Sequence, residues 1–189
     1  MNAQTGNPSP YRTPTRQLWD RLAAGWEKWW PSQEHGGQAV SGCLADLAAI
    51  RPGDRVLDIG TGVGEPAITA SLRAGPGGQV VATDLSPQML AVARRRAAAL
   101  GLTNLEFREM AAETLNFPEG SFDAILARFS LMFVSDLHDT LATILKMLTP
   151  RGKFAAAVWD GAWKVPIISL AFDLAKKMLR LPENTVKSR

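Results

Sequence analysis

The chain has 189 residues and is 46% hydrophobic, enough to bury one real core and no more than one domain by length. Its formal charge of +3, from 21 basic and 18 acidic residues, is too small and too scattered to indicate nucleic acid or an anionic membrane as a partner. Cys43 is its single cysteine, which excludes an internal disulfide framework and fits a reducing cytoplasm.

Residues 1–14 are polar, carry Pro8, Pro10 and Pro14, and are expected to be disordered rather than to form a signal peptide. Thr15 to Trp30 reads as a helix, with Leu18, Leu22, Trp26 and Trp29 or Trp30 at three-to-four-residue spacing. Trp19, Trp26, Trp29 and Trp30 either dock this helix on the core or, one or two of them, roof a ligand site. Pro31 is expected to stop the helix, and Gly36-Gly37 to break the path before a second helix, Gln38 to Ile50. Residues 15–50 would then be a helical cap, 51–165 the core, and 166–189 a last helix with a polar tail. No apolar run reaches bilayer length; Val165 to Ala175 comes nearest, and Pro166 and Asp173 interrupt it.

From Arg55 the pattern alternates strand and helix. Val56, Leu57 and Ile59 form a buried strand, followed by Gly60, Gly62 and Gly64, and Glu65-Pro66 opens a helix. Glycines leave no Cβ between backbone and ligand, and the free N–H groups of the helix start welcome anionic or polar groups. Val80 to Asp84 is a second strand, and Ser86-Pro87 starts a helix running to about Leu100. Leu105 to Glu109 and Phe122 to Ala127 are the next strands. A helix begins near Asp136, and a turn, Thr149 to Gly152, leads to a fifth strand, Lys153 to Trp159. The alternation predicts an α/β fold: a Rossmann-like three-layer sandwich with a mostly parallel sheet of about five strands.

The glycine loop alone also fits the dinucleotide fingerprint G-x-G-x-x-A, with Asp84 where a ribose-binding acid would lie, so an NAD(P)-binding oxidoreductase is one reading. Three segments together favour another: Asp58-Ile-Gly-Thr-Gly-Val-Gly64, Asp84-Leu-Ser-Pro-Gln-Met89, and Ala112 to Asp123. This set resembles the class I S-adenosylmethionine-dependent methyltransferases, in the branch of ubiquinone/menaquinone-biosynthesis C-methyltransferases, from about Trp19 to Trp159. The resemblance implies S-adenosyl-L-methionine as cofactor. Asp58 with Gly60, Thr61, Gly62, Val63 and Gly64 would hold its methionine end, and Asp84 its ribose hydroxyls. Leu85 and Met89 would sandwich the adenine, Met110, Ala111 and Ala112 would read its edge, and Glu113 would join the cofactor-binding residues. Ala111 departs from the family, which commonly carries Asp or Asn there, so weakened affinity is expected. Arg128 would reach the cofactor carboxylate or the substrate.

The implied reaction is methyl transfer to a small hydrophobic or aromatic acceptor. Trp26, Trp30, Phe129, Met132, Phe133 and Trp159 are the candidate acceptor residues, with Trp163 beyond them. No general base is assigned; for a phenol or an activated ring carbon as acceptor, His35, His138, Glu34 or Asp160 could assist. Two histidines cannot build a multi-histidine metal site, so no metal is expected. The family's sheet has seven strands, and this chain ends about thirty residues after its fifth, so the last two are expected to be absent. Either a short enzyme covers that edge with Pro166 to Leu181 or by homodimerisation, or a truncated module binds cofactor without efficient turnover.

Overall fold

The computed structural model describes residues 12–160 of the chain. The elements run α1 (Arg12–Leu47), β1 (Arg55–Ile59), α2 (Ala67–Ala74), β2 (Gln79–Asp84), α3 (Pro87–Ala99), β3 (Leu105–Glu109), β4 (Phe122–Arg128), α4 (Leu137–Met147) and β5 (Leu148–Ala157). Short 3-10 turns lie at Ala112–Thr114 and Leu131–Phe133. The strands form one sheet in the order β3-β2-β1-β4-β5, and every pairing is parallel. Strand order reverses between β1 and β4, the switch point at which such sheets hold ligands.

Side chains alternate across the sheet, so each strand feeds two cores. Val56, Val80, Ala82, Ala124, Leu126 and Ala155 meet α2 and the C-terminal part of α1 on one face. Alanines dominate there (Ala45, Ala48, Ala67, Ala70, Ala74), which lets the helix backbones come close to the sheet. Leu57, Ile59, Val81, Ile125 and Ala127 meet Ile144 and Met147 of α4, with Phe122 and Leu131, on the other face. A third cluster joins Ala23 of α1 to Val63 of the glycine loop and Met89 and Val92 of α3, with Trp19, Trp26 and Trp30 packed on it. The sandwich therefore brings its glycine loop directly beneath the N-terminal half of α1.

Three sequence expectations change. Residues 12–50 hold not two helices but one of 36 residues, and Pro31 lies inside it. Both halves are anchored, by Ala23 in the third cluster and by Leu44, Ala45 and Ala48 in the first, so packing outweighs the local cost of Pro31 and Gly36-Gly37. The helix also begins at Arg12, within the stretch expected to be disordered; Pro14 falls in its first turn, where proline is tolerated. β5 begins at Leu148 rather than Lys153 and ends at Ala157. The expected turn Thr149 to Gly152 is an irregularity inside it, since Phe122 pairs with Leu148 but Ala124 with Lys153.

Helix α2 starts one residue after Pro66, which serves as its N-cap rather than its first turn. The chain divides into two compact units, Met1–Ala157 and Val158–Arg189, so the helical cap and the core expected as separate segments share one body. Residues 1–11, Trp163 and the expected helix Pro166 to Leu181 lie outside the described residues. Among the described residues no helix is long and apolar enough to cross a membrane.

Candidate functional site

Asp84, at the C-terminal end of β2, ties three strand ends together. Its Oδ2 accepts from the Gly62 N–H at 2.8 Å and its Oδ1 from the Ser86 N–H at 2.9 Å. Its carbonyl accepts from the Met110 N–H at 3.0 Å, just beyond β3. Ser86 then caps α3, its hydroxyl accepting from the Met89 N–H and donating to Asp20 of α1. The Asp84 carboxyl is 8% exposed as a residue, and burial pushes its pKa up against the pull of the Ser86, Gly62 and Leu85 amides. Two carboxylate oxygens offer about four acceptor positions, so hydroxyl donors can still be accommodated beside those amides.

The glycine loop is more self-contained than its sequence suggests. Gly60 and Thr61 N–H groups donate to the Thr83 carbonyl, Gly64 and Glu65 N–H groups to that of Thr61, and the Ala67 N–H to Asp58 Oδ2. The expectation that these amides are free for a ligand is therefore corrected: tight turning of the loop consumes them. What remains open is on its crest, and what remains unsatisfied is buried beneath it. Gly62 has φ +56°, and a Cβ there would meet nothing within 4 Å. Asp58 is fully buried, and its Oδ1 and the Thr61 hydroxyl, side by side, make no well-formed hydrogen bond to any other group. Burial raises the Asp58 pKa to about 7, opposed by the Thr61 hydroxyl beside it, the Arg128 charge and the Ala67 N–H. An unpartnered buried carboxylate oxygen is costly unless a donor arrives, so these residues fit the amine end of a polar cofactor.

Gly60 is held for a different reason. Its φ is +72°, and an added Cβ would lie 2.4 Å from the Ser130 Cβ, across the switch point between β1 and β4. Ser130 is itself fixed, donating to the Ile59 carbonyl at 2.6 Å. Gly60→Ala should therefore destabilise the fold by about 2–4 kcal/mol, left-handed strain and overpacking together. Denaturant unfolding checks this, and Ser130→Gly in the same chain should return part of the loss.

Arg128 is held by α1. Its Nη1 donates to the Ser41 hydroxyl at 2.8 Å and the Gly37 carbonyl at 3.0 Å, and the guanidinium pairs with Glu34 at 3.4 Å, all on α1. Helix α1 arches over the end of β4, so its own carbonyl and carboxylate capture the arginine first. Met89 is 3% exposed within the third cluster, whereas Leu85 is half-buried. Met110 and Ala112 pack on the core beside Leu115. Ala111 precedes the 3-10 turn and accepts from the Thr114 N–H; the Ala112 N–H, first in that turn, is not used by it. Glu113 turns to the Ser135 N–H and hydroxyl instead of toward a cofactor.

Of the acceptor candidates, Trp26 and Trp30 face the third cluster, and Trp30 lies under the Arg96 guanidinium at 3.8 Å from its ring centre. Phe129 has φ +56° and donates its N–H to the Ala157 carbonyl. Met132 and Phe133 are exposed on the loop after β4, and Phe133 meets Trp19 edge-on at 5.4 Å. Trp159 belongs to the second compact unit and is partly exposed. Ser130, Asp20 and Arg96 carry no sequence signal that marks them for the site, whereas Trp19, one of the four tryptophans that could roof it, packs on the third cluster beside the glycine loop. His138 is solvent-exposed beside Asp139, and the described residues contain no cluster of three or more metal-ligating side chains.

A family model described as a methyltransferase domain matches residues 56–152. The demethylmenaquinone methyltransferase of Thermus thermophilus is 41% identical over 108 residues, 57% of this chain and 48% of that protein. The ubiquinone/menaquinone biosynthesis C-methyltransferase UbiE of Pseudomonas savastanoi is 40% identical over 109 residues, 57% of this chain and 43% of that protein. The chain thus spans less than half the length of these relatives. The crystal structure of the [4+2]-cyclase SpnF superposes with a TM-score of 0.71 at 24% identity, over 80% of this chain and 61% of that one, a likeness of fold alone. Matched across about half its length, with the glycine loop and the ends of β1 to β4 inside the match, this chain belongs to the methyltransferase domain family, in the S-adenosylmethionine-dependent class.

Proposed function

We propose that the chain binds S-adenosyl-L-methionine at the switch-point rim and transfers its methyl group to a small, apolar or aromatic acceptor. The observation that carries the reading is the hub at Asp84, which holds the glycine loop, the start of α3 and the segment after β3 around one carboxylate. Asp58 and Thr61 would take the methionine end through their unpartnered oxygens, Asp84 the ribose, and Leu85 with the Ala112 N–H the adenine. The cofactor, when bound, supplies an electrophilic sulfonium methyl. The protein's part is to align the acceptor with that methyl and keep water away. Trp19 and Phe133 form an aromatic wall at the loop after β4, with Met132 exposed beside them, which favours a ring-containing acceptor. The names of the two curated relatives, both quinone-biosynthesis methyltransferases, support a quinol-like ring as the acceptor class.

Calorimetric titration tests the first half: S-adenosylhomocysteine should bind and NAD should not. The opposite pattern would return the site to the dinucleotide oxidoreductases. Labelled-methyl transfer to a panel of quinols and phenols tests the second half, and binding with no transfer to any of them would leave the non-catalytic module as the better description.

A further inference from the structure

Behind the glycine loop, five charged side chains from five parts of the chain act on one another: Glu34 of α1, Asp58 of β1, Glu65 before α2, Arg96 of α3 and Arg128 ending β4. Water hardly reaches them. Asp58 and Glu65 are 0% and 6% exposed, the side chains of Arg128 and Glu34 10% and 14%, and Arg96 is half-buried under Trp30. Three carboxylates thus share two guanidiniums, and charge left uncompensated in so dry a place is strongly disfavoured.

The shortfall falls on Asp58. Arg128 is committed to Ser41, Gly37 and Glu34, and Arg96 to the Val63 carbonyl and the Trp30 ring. Glu65 is satisfied by the Thr69 N–H and hydroxyl, with Gln38 of α1 donating to that hydroxyl in turn. No guanidinium bonds to Asp58 Oδ1, which is fully buried with the neutral Thr61 hydroxyl beside it. Consistent with one missing cation, burial lifts the pKa of Asp58 to about 7 and raises that of Glu34, so the cluster without ligand holds a proton in the cation's stead.

We infer that this five-charge cluster is matched to a ligand of net charge +1, so that the sulfonium methyl donor binds with release of a proton and its thioether product binds with that proton retained. The inference rests on the proposed function. The donor carries a sulfonium, an ammonium and a carboxylate, a net +1; the product lacks the sulfonium charge and is neutral. Donor plus fully ionised cluster is electrically balanced, whereas product plus fully ionised cluster is short by one positive charge and recovers the proton from solvent. The cluster would therefore prefer donor over product, and the preference would grow as solution pH rises.

The test is calorimetric titration of the whole chain with S-adenosylmethionine and with S-adenosylhomocysteine, each in two buffers of different ionisation enthalpy. Measurements at about pH 5.5 and about pH 7 stay below the range in which the ligands' own amines titrate. A folded-state pKa raised to about 7 means the proton is held below that pH and lost above it. Donor affinity should therefore rise about tenfold over this interval, with heats that depend on buffer, while product affinity changes less than about twofold. Glu65→Gln removes the surplus carboxylate and should flatten the donor's pH dependence. Equal pH dependence for donor and product, or donor heats independent of buffer, would overturn the inference and leave the cofactor reading intact. Failure of both compounds to bind would overturn both.

Discussion

Replacing Arg128 with methionine should lower the free energy of unfolding by about 3–5 kcal/mol, the range for removing one partner of a buried ion pair. Arg128 and Glu34 are close to buried on both sides, so solvent screening takes little from the effect. The pair itself is the smaller part, since 3.4 Å is long for a charge-assisted bond. The larger part is what the substitution strands: the Glu34 carboxylate, the Gly37 carbonyl and the Ser41 hydroxyl each lose a donor that water cannot easily replace. All three lie where α1 carries Pro31, Gly36 and Gly37, the segment with least helical preference of its own. Amide exchange should accordingly accelerate over residues 31–41 well before it does in β1. Denaturant titration of Arg128→Met, Glu34→Gln and the double variant closes a thermodynamic cycle, in which the double variant should recover part of the loss. A change below about 1 kcal/mol in Arg128→Met would show that packing alone holds α1 in place.

That segment also shows where reading the sequence succeeds and stops. The run Arg55 to Ala67 was legible because its signals are local: an apolar β-branched stretch, then glycines at positions that need positive φ or open space. The same holds for Ser86-Pro87, whose cap bond to Met89 is made within three residues. Helix α1 was not, since Pro31 and Gly36-Gly37 argue locally for a break and the forces against it come from Arg128, more than 80 residues away. The surroundings of Arg128 and Met89 were out of reach for a related reason. Position after a strand places a residue on the ligand rim, but not whether it faces the ligand or the helix lying above. Spacing put Leu18, Leu22, Trp26 and Trp29 or Trp30 on one stripe, and only the fold shows Trp26 and Trp30 packed on Val63 and Met89. The surplus carboxylate is further from reach still, because Glu34, Asp58 and Glu65 look like unrelated acids until the fold sets them beside two arginines.

Asp84 is the hub of the proposed cofactor site, and its substitutions should separate structure from binding. In Asp84→Ala the buried amides of Gly62 and Ser86 lose their acceptor, at about 1–3 kcal/mol each, so stability should fall by about 2–5 kcal/mol. The loop would also lose the tether that sets Gly62 against β2. Affinity for S-adenosylhomocysteine should drop by more than about 100-fold, since the ribose contacts and the loop geometry go together. Asp84→Asn is the sharper probe. It keeps one carbonyl acceptor for an amide, preserves volume, and removes the charge on which bonds to two sugar hydroxyls would depend. Its stability loss should be no more than about 2 kcal/mol while affinity falls roughly 10- to 100-fold, the worth of one to two charge-assisted bonds. Calorimetry reads the binding and denaturant unfolding the fold. If Asp84→Asn bound the adenosyl compound as tightly as the parent chain, the carboxylate would be a brace for the glycine loop and nothing more, and the ribose would have to be sought at another strand end.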